Sequence, residues 1–131
     1  MARYRQPHLL LITTDQQRGD CLGCEGHPAV ETPYIDQMAE NGSRFRHAYT
    51  SVPSCTPARA GIITGMDQWN HGRLTMTGND ALDFPATLPG ELAAAGYHTR
   101  LVGKAHHAPQ RALQGFHDTH LDESGRRDKG F

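Results

Sequence analysis

T-L-P-G-E-L-A-A-A-G-Y-H-T-R-L-V-G-K-A-H, Thr87 to His106, places a helix signal directly before a strand signal. Thr87 is an N-cap residue type, and Leu88, Leu92 and Ala95 share one helical face before Gly96 offers a left-handed stop. Tyr97 to Val102 then reads as a strand that delivers Gly103, Lys104 and His106 just past its carboxyl end. Strands alternating with helices specify an α/β fold with a mostly parallel sheet flanked by helices.

Working outward, the same punctuation recurs upstream. Pro57 sits where a helix can begin, with Ala58, Ala60, Ile62 and Ile63 following and Gly65 ending it, so Cys55 falls at a helix N-terminus. Earlier still, Thr32-Pro33 reads as an N-cap with proline at the first helical position. Ile35, Met38 and Ala39 form its apolar face, and Gly42 is expected to close it in the left-handed conformation. His8 to Thr13, with Leu9 to Ile12 continuously apolar, reads as a short buried parallel strand ending at Asp15. Arg44 to Tyr49 alternates and reads as a second strand. Gln16 to Glu31 and Met66 to Pro85 read as loops. Past Ala108 the chain grows polar, and Leu121 to Phe131 shows no cap, strand or core pattern that would finish a domain. Residues 1–131 are therefore expected to be one incomplete domain.

Composition narrows the class. The 131 residues are 37% apolar and 21% charged with a formal net charge of -1, as in globular proteins, and no polybasic surface for nucleic acid is implied. The nine histidines would make the chain cationic near about pH 6, and scattered surface positions account for most of them. Leu9 to Ile12 is too short for a membrane span or a signal-peptide core, so a cytoplasmic chain is expected. Cys21, Cys24 and Cys55 make an odd count that argues against a disulfide framework, and no second pair completes a zinc site around Cys21 and Cys24.

Ligands of open parallel sheets bind outside the carboxyl ends of the strands, where three clusters are expected to meet. Asp15 and Gln16 are adjacent oxygen donors suited to a hard cation, although an Asp closing a strand is also a turn former. Cys55-Thr56-Pro57-Ala58-Arg59 sets a thiol at a helix N-terminus and a planar cation one turn on, a pairing that can hold tetrahedral oxyanions. A buried cysteine with a surface arginine is the plainer account. Lys104 and His106 point the same way if the chain stays extended, and can bind an anion and protonate a leaving oxygen. They are equally read as solvated surface residues.

A C-x-P-x-R pattern arises by chance in about one or two such chains per hundred, so the longer matches decide its meaning. C-T-P-A-R-A-G-I-I-T-G at Cys55 to Gly65 is similar to the signature of the type I sulfatases, members of the alkaline phosphatase superfamily. Thr87 to His106 resembles the second signature of that family, and Gly115-Phe116 fits the segment that follows it. L-L-L-I-T-T-D-Q-Q-R-G-D at Leu9 to Asp20 looks like the family's first strand and metal loop, and T-P-Y-I-D-Q-M-A at Thr32 to Ala39 looks like its first helix.

The resemblance implies an alkaline-phosphatase-like fold, of which this chain is the N-terminal part. It implies a hydrolase of sulfate monoesters on small molecules or sugars. Cys55 would be converted to formylglycine by a separate maturation enzyme, and the aldehyde hydrate would attack sulfur, expel the alcohol and then eliminate sulfate as the second hydroxyl loses its proton. By position, Asp15, Gln16 and the modified Cys55 would hold a divalent metal, by preference Ca2+. Arg59 would stabilise the nucleophile, Lys104 would bind sulfate, and His106 would partner the diol or the sulfate. Many members carry a second aspartate where Gln16 stands, and a bulky aromatic where Ala105 stands. Sulfatases are several times longer, so the isolated chain is expected to bind metal weakly and to be inactive. The alternatives are a phosphonate or phosphate ester hydrolase using the same group, a catalytically incomplete anion-binding module with an unmodified Cys55, and a redox or zinc protein built on Cys21 and Cys24.

Overall fold

In the computed structural model, which describes residues 6–75, 83–109 and 111–122, a short parallel ladder organises the later part of the chain. β1 (Arg100–Gly103) pairs with β2 (Asp118–Leu121), with Arg100 opposite Asp118 and Gly103 opposite Leu121. The pairing extends beyond the strands at both ends. The His117 N–H donates to the Thr99 carbonyl at 3.0 Å and the Asp122 N–H donates to the Gly103 carbonyl at 2.9 Å. Across the first rung, the Arg100 guanidinium and then His98 bond the Asp118 carboxylate and hold its pKa below the ordinary Asp value.

The chain divides into two units, Met1–Ala48 and Tyr49–Phe131. In the first, a 3-10 turn at Gly23–Glu25 and helix α1 (Pro33–Asn41) are joined by side-chain hydrogen bonds. Thr32 Oγ1 accepts from the Gly23 N–H and donates to Asp36 Oδ1, which also accepts from the Cys24 N–H, each at 2.8 Å. The Thr32 hydroxyl, ahead of the Cys24 amide, holds the Asp36 carboxyl below its usual range.

The second unit carries α2 (Cys55–Thr64), α3 (Gln68–His71), α4 (Leu88–Ala94) and the two strands. Gly65 ends α2 at φ 68°, in the left-handed region, and its N–H returns to the Gly61 carbonyl at 2.8 Å, as the sequence leads one to expect. Pro57 and Ala60 of α2 are buried, as are Thr99 and Ala105 on either side of β1. Thr87 caps α4 by accepting from the Gly90 N–H, and its hydroxyl donates to the Gln114 carbonyl at 2.8 Å, so one side chain joins the helix to the segment entering β2. Gly115 lies against that joint at φ 92°, where an added Cβ would stand 2.5 Å from Thr87 Oγ1 and from the Gly90 nitrogen.

Four expectations need correction. Residues 8–13 form no strand, and Leu9, Leu10, Leu11 and Ile12 are 62%, 85%, 66% and 70% exposed. A continuous apolar run reports a requirement for cover on both faces, and no element among the described residues supplies it. Residues 44–49 contain a turn at Arg46-His47 instead of a strand; Arg44 donates to the Cys24 carbonyl and both Arg44 and Arg46 lie by Glu25. Gly42 ends α1 in an extended conformation, φ -126°, and so needs no left-handed freedom. The loop at Met66 to Pro85 contains α3, capped by Asp67, which accepts from the Trp69 and Asn70 N–H groups. Four residues are too few to show a period. β2 is a strand that the sequence reading does not name; it is made by its partner, since D-T-H-L has no apolar alternation of its own, while residues 123–131 of the patternless tail lie outside the described residues.

Gly115→Ala adds a methyl group where both backbone and hydroxyl already crowd, at a φ that L-residues avoid, and is expected to destabilise the protein by about 2 kcal/mol or more in urea unfolding. An unchanged midpoint would contradict the packing described. A carboxyl whose folded pKa is depressed contributes stability above its ordinary value, near 3.9 for Asp, that is lost as pH falls through the folded value. The melting temperature should therefore fall between about pH 5 and pH 3, and fall less in Asp118→Asn, which has no proton to take up.

Candidate active site

Helix α2 opens at Cys55. Ser54 is extended, φ -144° and ψ 141°, and its carbonyl accepts from the Ala58 N–H at 2.9 Å, which turns the chain into the helix at the cysteine. Pro57 falls in the first turn, where no intrahelical partner waits for the N–H that it lacks. Cys55 is a half-buried thiol in no disulfide, at the end of the helix where backbone amides and the dipole favour negative charge. Arg59, four residues on, shares its face.

Arg59 carries the main tie of the site: its Nη1 donates to the Lys104 carbonyl, 45 residues away in sequence. That bond joins the N-terminal half of α2 to the segment just past β1. Thr56 and Arg59 line one wall of a small cleft, and Ala105, His106 and His107 line another. Ala105 is 6% exposed, so its methyl group is part of the core here.

The segment after β1 is not extended. Gly103 ends the strand at φ 103° and His106 has φ 58°, a left-handed conformation that a non-glycine residue holds at a cost of about 1–3 kcal/mol. Lys104 and His106 are consequently not two teeth of one strand. Lys104 meets Arg59 through its carbonyl, and His106 reaches the cleft because the chain has turned. Sequence reasoning found Cys55, Arg59, Lys104 and His106, all within this unit, and passed over His107. His107 is 6% exposed, and its Nε2 lies 2.8 Å from the Ala112 carbonyl oxygen. The repeated histidine in K-A-H-H was its only signal.

Asp15 and Gln16 belong to the first unit and lie exposed at a bend. Their oxygens are of the hard type that Ca2+ takes, but Ca2+ needs six to eight ligands, and the described residues contain no group of three or more His, Cys, Asp or Glu able to hold a metal. The pair fits the cation in kind and supplies part of its shell. Cys21 and Cys24 are free thiols, with no disulfide between them.

The profile of the Sulfatase family matches residues 7–127. The arylsulfatase of Clostridium perfringens is 46% identical over 118 residues, covering 90% of this chain and 24% of that protein. Human arylsulfatase A is 38% identical over 128 residues, covering 89% of this chain and 25% of that protein. Among solved structures, the phosphonate monoester hydrolase of Agrobacterium radiobacter aligns with a TM-score of 0.80 at 30% identity, over 91% of this chain and 26% of that one. The chain belongs to the Sulfatase family and has its alkaline-phosphatase-like α/β fold. It spans about a quarter of the length of the curated relatives it matches.

Arg59→Ala removes the bond to Lys104, and a hydrogen bond from a charged group contributes about 1.5–3 kcal/mol. A loss of that size is expected in urea unfolding. A variant as stable as the parent would show that α2 and the segment after β1 are held together by something else.

Proposed function

We propose that the protein carrying this chain hydrolyses sulfate monoesters, with Cys55 matured to formylglycine by a dedicated enzyme. The observation that carries the reading is the Cys-x-Pro-x-Arg turn opening α2, tied by Arg59 to the segment of Lys104 and His106, in a member of the Sulfatase family. The hydrated aldehyde would supply a hydroxyl nucleophile for sulfur and a second hydroxyl whose loss of a proton releases sulfate.

The side chains of this chain have separate tasks in that scheme. Arg59 holds Lys104 through Nη1 and keeps the rest of its planar fork for an oxyanion beside residue 55. Lys104 adds a cation for the sulfate oxygens. His106 moves a proton at the diol or at the sulfate. Asp15 and Gln16 would contribute oxygens to a divalent metal, Ca2+ by preference, which would act as a Lewis acid. Those two ligands are too few for a tight site, so the isolated 131-residue chain should bind Ca2+ weakly and show no turnover.

The structural likeness to a phosphonate monoester hydrolase favours one second reading, hydrolysis of phosphonate monoesters by the same group. Sulfate and phosphonate monoesters are both singly charged at neutral pH, so the pocket's contacts to the group that phosphorus carries and sulfur lacks, and not total charge, decide between these substrate classes. In steady-state assays of the full-length enzyme, kcat/KM for an aryl sulfate should exceed that for an aryl phosphonate by about tenfold or more. The reverse order would replace the first reading with the second. Cys55→Ala should lower turnover of the preferred ester by at least about 10⁴-fold, as loss of a nucleophile does.

A further inference from the structure

We propose that His107 is a positioning residue that fixes the backbone of His106; this rests on the sulfatase reading for its consequence in catalysis. Two clamps flank the left-handed residue. On one side the Lys104 carbonyl is held by Arg59, and on the other the His107 ring is held by the Ala112 carbonyl at 2.8 Å. A carbonyl oxygen only accepts, so the ring hydrogen in that bond sits on Nε2.

The other ring nitrogen shows that packing alone does not define this position. Nδ1 is buried and has no hydrogen-bond partner among the described residues. A buried polar atom left in that state costs about 1–3 kcal/mol, which a leucine of similar bulk would avoid. What His107 supplies that leucine cannot is the bond to Ala112. The Ala112 N–H in turn donates to the Pro109 carbonyl at 3.0 Å, so the anchor is itself part of a closed turn. Between the clamps, a φ of 58° is a conformation that relaxes unless its surroundings hold it. Releasing His107 lets residue 106 move toward ordinary backbone values and swings its imidazole away from the cleft it shares with Arg59.

The test compares His107→Leu, His107→Asn and His107→Gln in the full-length enzyme, below the melting temperature of each. Gln carries an amide N–H2 long enough to reach the Ala112 carbonyl, whereas Asn is too short and Leu has no donor. With aryl sulfate, Leu and Asn should lower kcat about 10- to 100-fold with KM within about threefold, because misplacement of a reacting group costs rate more than binding. Gln should recover most of the loss. Wild-type kcat in the Leu variant, or an equal fall in all three, overturns the proposal. Amide hydrogen exchange at His106, read on the same samples, judges the clamp whatever the substrate. Exchange about tenfold faster in Leu and Asn but not in Gln supports it, and equal exchange in all four proteins overturns it. Inactivity of the wild type on aryl sulfate would count against the sulfatase reading alone.

Discussion

The bond from Arg59 to the Lys104 carbonyl is the constraint on which the candidate site depends. Without it, the helix that opens at Cys55 and the turn that follows β1 would be separate features of one unit. With it, the guanidinium of Arg59 and the imidazole of His106 line one small cleft, beside the helix start at Cys55. The backbone around the bond is arranged to receive it. Gly103 breaks the strand in the left-handed region, and the next carbonyl turns to face Arg59. The buried Ala105 and Ala60 line the same cleft. The arginine thus serves the fold with one nitrogen of its planar fork.

Most features set by adjacent residues were legible in the sequence, the extended Gly42 and the short Asp67-capped α3 being exceptions. Thr87 caps α4, Pro33 opens α1 and Gly65 closes α2 because a cap or a left-handed stop is decided within a single turn. Features that need a distant partner were not. β2 exists because β1 lies beside it, and the apolar run from Leu9 to Ile12 announces a strand that nothing among the described residues pairs or covers. The site shows the same division. Cys55 at a helix start and Arg59 on its face follow from helix geometry, while the bond to Lys104 spans 45 residues and the turned backbone at His106 arises from tertiary contacts. The condition under which Lys104 and His106 would point the same way, an extended chain past the strand, is not met for that reason.

Membership of the Sulfatase family gives these residues a chemical context, and the physical arguments run in the same direction. A helix N-terminus and a guanidinium favour an oxyanion near residue 55. Asp15 and Gln16 are hard donors in the first unit, with fewer oxygens between them than a calcium shell requires. The chain accounts for about a quarter of the length of its curated relatives, and substrate choice is a property of the whole protein.

Peptide mass spectrometry of the full-length protein, co-expressed with a formylglycine-generating enzyme, addresses the central claim most directly. The account predicts that the peptide spanning residue 55 has exchanged its thiol for an aldehyde, and that aryl sulfate turnover rises in proportion to the converted fraction. An active enzyme whose residue 55 remains an ordinary cysteine throughout would contradict it.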